Sequence, residues 1–389
     1  MPKGLGRWLA GTNVLLGLTL VLMIAVGSSA GASGSLVTRS PDPTAVTSTP
    51  SARPTGVAVV ATSSATAAAQ QTATPTVTPT SSATATPTAK PTAKPTAKPT
   101  AAPTPAPTAP PTPPPVAGPC PLFPASNVWN LDIAALPVRA DSATLIDSIG
   151  LNASLHPDFS AAGSYGIPIN VVSPATPRST VSFQYAGESD AGPYPIPANP
   201  LIEGGSDRHL LMWDTTGCVL YELFAASRSG TAWTAGSGAI WNLRSNALRP
   251  DGWTSADAAG LPILPGLVRY EEVAAGAIYH ALRFTAPRTQ TEHIYPARHD
   301  AGESGSAALP PMGVRVRLKA SVDISGYGPQ AQVLLTALKR YGMILADNGS
   351  PWYVTGAPDA RWNDDELHDL HQITGADFEV VDTSGLVNL

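Results

Sequence analysis

Four carboxylates stand close together near the middle of the chain: Glu203 in a Gly-rich turn, then Asp207, Asp214 and Glu222. Hydrolysis of a glycosidic bond needs two carboxyl groups flanking that bond, one protonated and one ionised. Asp214 and Glu222 fall on segments that read as the two arms of a hairpin, around Thr215-Thr216-Gly217. Alternation puts Asp214 on a face with Leu210 and Met212, and Glu222 with Leu220 and Phe224. A carboxyl group among apolar side chains is where a raised pKa arises. These four are the candidate catalytic residues. The competing reading pairs them with Arg208, Arg283 or Arg315 as structural ion pairs.

Histidine is the commonest metal ligand, and His209, His280 and His299 sit beside polar residues in a β-rich stretch. Three imidazoles, or two with a carboxylate such as Asp207, Asp214 or Asp300, would hold a divalent ion. No H-E-x-x-H spacing fixes such a geometry, so a divalent metal is possible but no cofactor is required. The bland alternative is that each is a hydrogen-bonded sheet histidine. His368 and His371 lie three apart on an acidic helix and read as a solvated face.

Trp253, in the loop Asp251–Ser255, and Trp362, between Arg361 and Asn363, are the tryptophans expected to stack on sugar rings. Arg315, Arg317 and Lys319 line one side of one strand, with Val314, Val316 and Leu318 on the other. Either neighbouring carboxylates answer those cations, or an anionic ligand does. With Arg283, Arg315 and Arg317 are therefore candidate substrate contacts, and a uronic-acid polymer would suit them.

Several chemistries are excluded. Gly302-Glu303-Ser304-Gly305 is one residue short of a nucleophile elbow. Neither a phosphate-cradling loop nor a dinucleotide fingerprint is present. From residue 118 onward, 16 Lys and Arg stand against 27 Asp and Glu, a net charge of −11. An acidic domain without a basic run lacks the footprint that nucleic acid requires.

The elements that must position these residues are mainly strands. Short β-like runs separated by turns are predicted at His209–Asp214, Val219–Ala225, Ala239–Leu243, Val268–Tyr270, Ile278–Thr285 and Val314–Lys319. The period then changes. Pro329–Tyr341 places Val333, Leu334, Ala337, Leu338 and Tyr341 on one helical face, and Gly342 ends it. Strands at Met343–Ala346, Trp352–Thr355 and Phe378–Val381 surround a short helix at Asp364–Gln372, capped by Asn363. The expected fold is a mainly β domain, an antiparallel sandwich or jelly roll with two packed carboxyl-terminal helices.

Several phrases occur together: PYPIPANPLIEGG (193–205), DRHLLMWD (207–214), LRPDGWTSADAAGLPILPGLVRYEEV (248–273), YHALRFT (279–285), PPMGVRVRLKAS (310–321) and LKRYGMILADNGSPWYVTG (338–356). On these the domain resembles an uncharacterised family of secreted, mostly bacterial β-rich proteins found behind signal peptides and low-complexity linkers. The resemblance implies an extracellular, autonomous domain over most of 118–389. It carries no activity and no catalytic residues.

The amino-terminal part reads as an address. Lys3 and Arg7 precede an apolar core at Val14–Val26, and Ala30-Gly31-Ala32 fits a cleavage site, giving a signal peptide at 1–32. An uncleaved anchor is the other reading, and would be the chain's one membrane attachment. Residues 33–117 form a disordered Pro/Thr/Ala stalk: nineteen of 41 prolines lie between Pro41 and Pro119, with Thr-Ala-Lys-Pro repeated at 88–91, 92–95 and 96–99. Cys120 and Cys218 are the only cysteines, and in an exported chain they read as one disulfide. The sequence thus describes a secreted or cell-surface protein whose partner is a polysaccharide or cell-envelope glycan. It is read as a polysaccharide hydrolase with a Trp-lined cleft. The alternatives are a non-catalytic glycan-binding domain, or a metal-dependent enzyme or uronic-acid lyase.

Overall fold

A computed structural model describes residues 120–163 and 165–386; the signal expected at 1–32 and the stalk expected at 33–117 lie outside the described residues. Along the chain come α1 (Ser142–Gly150), β1 (His156–Asp158), β2 (Ile169–Val172), β3 (Arg178–Ser179), β4 (Val181–Phe183), β5 (Tyr194–Pro195), β6 (Leu210–Asp214), β7 (Val219–Phe224), β8 (Ser227–Ser229), β9 (Ala232–Ala235), β10 (Ser237–Asn242), α2 (Tyr270–Ala274), β11 (Leu282–Ala286), β12 (Arg315–Leu318), α3 (Pro329–Arg340), β13 (Met343–Asn348), β14 (Tyr353–Thr355), α4 (Asp364–Asp369) and β15 (Phe378–Val380). The domain is mostly strands with a few short helices.

Six strands form the largest sheet, in the order β1-β14-β11-β13-β12-β15, and four form a second, β10-β7-β6-β2. Two small sheets, β3-β5 and β4-β9-β8, accompany them. The sheets are mixed rather than antiparallel throughout. β1 runs parallel to β14, β11 to β13 and β2 to β6, while β7 is antiparallel to both β6 and β10.

One core runs from Leu145 and Ile149 of α1 and Leu334 and Leu338 of α3, through Phe284 and Leu345, to Leu211, Leu220 and Trp241 of the four-stranded sheet. The opposite face of that sheet packs Leu210, Met212 and Leu223 against Val181, Trp233 and Tyr194. Burial on both faces explains why β6 begins as a continuous apolar run.

Pro329 suits the first turn of α3, Lys339 and Arg340 suit its last, and Gly342 takes φ +64° just beyond it. Asn363 caps α4 by accepting from the Glu366 N–H, with Asp364, Asp365 and Glu366 in the first turn. One expected strand, Val268–Tyr270, does not form. Val268 makes a single bridge to Gly356, and Tyr270 opens α2, whose first turn holds Glu271 and Glu272. The short helix α1, buried through Leu145, Ile146 and Ile149, carries too few turns to stand out by periodicity.

Cys120 and Cys218 form a disulfide, with Cα atoms 5.2 Å apart. No helix among the described residues is long and apolar enough to cross a membrane.

Candidate active site

Three adjoining hollows of about 370, 170 and 270 Å³ all include Asp207. Together they form a cleft. Its floor comes from the six-stranded sheet, through Arg283 of β11, Asp347 of β13, Tyr353 of β14 and Asp158 at the end of β1. Its other wall comes from the segment entering β6, with Glu203, Asp207 and His209, and from Asp257 and His299.

An irregularity in the sheet makes the floor possible. Arg283 pairs with Ile344 and Phe284 with Leu345, but Thr285 pairs with Asp347, skipping Ala346. Regular alternation from Ile344 would send Asp347 to the face opposite Arg283. The extra residue turns Asp347 onto the Arg283 face, as bulges beside functional sites do.

Arg283 is buried and donates from Nε and Nη2 to Asp257 Oδ2 and Oδ1, at 2.9 and 2.6 Å, and from Nη1 to Thr355 Oγ1 at 2.5 Å. Burial works against its charge, but Asp257 and Asp347 more than restore it, and its pKa is raised. Asp347 Oδ2 lies 3.9 Å from Arg283 Nη2, with the side chain 25% exposed to the cleft. Burial pushes the Asp347 carboxyl well up, the neighbouring Asp257 carboxylate adds to this, and Arg283 opposes it. The acid form of Asp347 therefore persists above the range in which an ordinary aspartate ionises.

Beside it, His209 Nδ1 meets Glu203 Oε2 at 2.5 Å and His209 Nε2 meets the Ala256 carbonyl at 3.0 Å. Both ring nitrogens face acceptors, so the ring fits its site as an imidazolium donating twice. Burial opposes that charge, but Glu203 outweighs it, and the His209 pKa is raised. Glu203 answers in kind: burial raises its pKa, yet the bonds from His209 hold it below the usual carboxylate range. Asp158 is raised, by burial first.

Other sequence candidates lie elsewhere. Asp214 accepts from the Thr216 and Gly217 N–H groups and closes the hairpin turn. Glu222 is fully buried off the cleft, where it accepts from the N–H groups of Ile263 and Leu264 and from Trp241 Nε1. Burial pushes its pKa to about 7 against those donors. Of the four candidate carboxylates, Glu203 and Asp207 share the cleft.

The three histidines do not converge. His280 Nδ1 donates to the Ala281 carbonyl, and its Nε2 lies 3.1 Å from Glu272 in a separate cluster with Arg269. His299 does line the cleft, donating from Nδ1 to Ala258 O, with Nε2 3.8 Å from Glu188. Among the described residues no group of three or more His, Cys, Asp or Glu is arranged to hold a metal ion. The metal arrangement expected for His209, His280 and His299 is therefore not formed, because their nitrogens are engaged at separate places.

The aromatic residues on the cleft are Tyr165, Tyr185, Phe224 and Tyr353 rather than tryptophan. Trp362 is buried against Phe159 and Tyr270. Trp253 stacks with Arg249, whose guanidinium lies 5.4 Å from its ring and 5.6 Å from that of Trp241.

The cationic strand face is answered by the chain itself. Arg315 is 1% exposed and donates to the carbonyls of Val128, Leu131 and Tyr341. Arg317 bonds Glu379, its register partner on β15, and the carbonyls of Ile133, Ala134 and Leu136. Neither faces the cleft, so of the three candidate arginines only Arg283 belongs to it.

Asp158, Asp257, Asp347 and Glu188 join the site without having been singled out from sequence. Asp347 sits where an apolar strand gives way to Asp347-Asn348-Gly349, and Asp257 lies in the loop Thr254–Gly260. Both are signals of position rather than of chemistry. Comparison with known family models, characterised proteins and solved structures finds no match to this chain.

Proposed function

We propose that this chain is an exported hydrolase of a polysaccharide or cell-envelope glycan. The observation that carries this reading is the cleft itself, which brings Asp347 on its floor, a carboxyl group whose pKa burial raises, together with Asp207 and Glu203. In this reading Asp347 gives its proton to the leaving glycosidic oxygen, while Asp207, reaching the cleft from the other wall, takes a proton from the attacking water. One water is consumed, and two sugar ends form. Arg283 and Asp257 are positioning residues, since together they fix the surroundings of Asp347. The His209 imidazolium holds Glu203 as a carboxylate and fixes its position at the edge of the cleft. The basic, apolar and small-residue order of 1–32 and the Cys120–Cys218 bridge support export.

The test incubates the purified chain with neutral, amine-bearing and uronic-acid polysaccharides and follows new reducing ends. Release is expected from at least one polymer and should be lost in Asp347→Asn. Absence of release across the panel, with retention on an insoluble glycan, would replace hydrolysis by binding.

A further inference from the structure

Two exposed tyrosines stand out on the described surface, Tyr165 at 63% and Tyr185 at 46%. They line different hollows of the cleft. Tyr185 borders the one with Glu188 and His299, and Tyr165 the one with Asp158 and the Gly204–Ser206 turn. A third hollow, which shares Asp347 and Asn348 with the first and Asp158 and Glu203 with the second, also holds Arg283 and His209. An exposed aromatic face is a platform on which a sugar ring stacks. One platform to each side of the acid group suits a chain that lies through the cleft, rather than a chain end inserted into a blind pocket.

The charge along the cleft narrows what that chain is. Of its two buried cations, Arg283 is engaged by Asp257 and His209 by Glu203. Beyond those pairs the lining carboxyl groups are Asp158, Glu188, Asp207 and Asp347, with His299 as the one other basic side chain among the described lining residues. Burial shifts Asp158 and Asp347 toward the acid form and leaves Glu188 and Asp207 to set the sign. A wall of this sign repels a polyuronate and accepts neutral or amine-bearing sugars.

Resting on the hydrolase reading above, we infer that the substrate is an extended neutral or amine-bearing glycan. It stacks on Tyr165 and Tyr185 at either side of Asp347 and is cut at internal bonds.

Two measurements test this with the full chain. The first is affinity electrophoresis of the Asp347→Asn protein in gels holding a glucan, a mannan, a partly deacetylated chitin or a polygalacturonate. Adding Tyr165→Ala or Tyr185→Ala is expected to weaken retention about tenfold each, with Phe restoring it. Retention unchanged by both, or strongest on polygalacturonate, overturns the inference. The second is the size of the first products. Fragments several sugars long are expected before any monosaccharide, and monosaccharide or disaccharide as the sole early product overturns cutting at internal bonds. Failure of the hydrolase reading is distinguishable, because it leaves tyrosine-dependent retention without any release.

Discussion

Asp347 shows how much one carboxyl group owes to its surroundings. Its pKa is raised, so the acid form persists above the pH at which an ordinary aspartate ionises. Activity should therefore fall as pH rises through that raised value. Asp347→Asn should lower kcat by about 10²- to 10⁴-fold and remove this alkaline limb, as a pH–rate profile would show. The Glu203–His209 pair carries two opposite linkages. Glu203 is lowered, so its contribution to stability is lost as pH falls through its depressed pKa. His209 is raised, so its contribution is present below the usual histidine range and lost as pH rises through the raised value. Nitrogen-15 NMR below the usual histidine range, at about pH 6, should find both His209 ring nitrogens protonated, and denaturation across pH should show a stability plateau between the two limits. A neutral His209 ring under those conditions would contradict this account.

At the scale of elements, β7 does more than extend the sheet. Glu222 gathers the N–H groups of Ile263 and Leu264 at the turn that follows the Asp257 loop. Glu222→Ala would strand those two donors and Trp241 Nε1, at about 1–3 kcal/mol for each group left unsatisfied. Denaturant unfolding measures the loss. Gly342, after α3, has φ +64°, and a Cβ there would meet the Val316 carbonyl oxygen. Gly342→Ala should destabilise by more than about 1 kcal/mol. Much of this was legible. The hairpin, the alternation of Val314, Val316 and Leu318, the period of α3 and the Asn363 cap all follow from local spacing. Glu203, Asp207, His209 and Arg283 were found as chemistry-bearing residues. The meeting of Arg283 with Asp257 and Asp347 was not, since it joins positions 26 and 64 residues away across a skipped residue in β13. Arg315 misled for a related reason: strand alternation fixes a face, but whether solvent or the 128–136 segment covers it depends on tertiary packing.

At the scale of the molecule, the Cys120–Cys218 bridge spans a separation of 98 residues and joins the start of the described domain to the four-stranded sheet. Cys218→Ser should lower stability by about 2–5 kcal/mol, read as a shift in thermal or denaturant midpoint. A few residues on, Arg315 and Arg317 of β12 grip the carbonyls of Val128, Leu131, Ile133, Ala134 and Leu136, which ties the same segment into the six-stranded sheet. The entry segment is thus moored twice, covalently beside one sheet and by two guanidinium forks to the other. Any pull arriving along the preceding chain meets this double mooring before it reaches the cleft. Tension on the leading segment is shared between the two sheets, so the walls that carry Asp207 and Asp347 are held together under load rather than peeled apart.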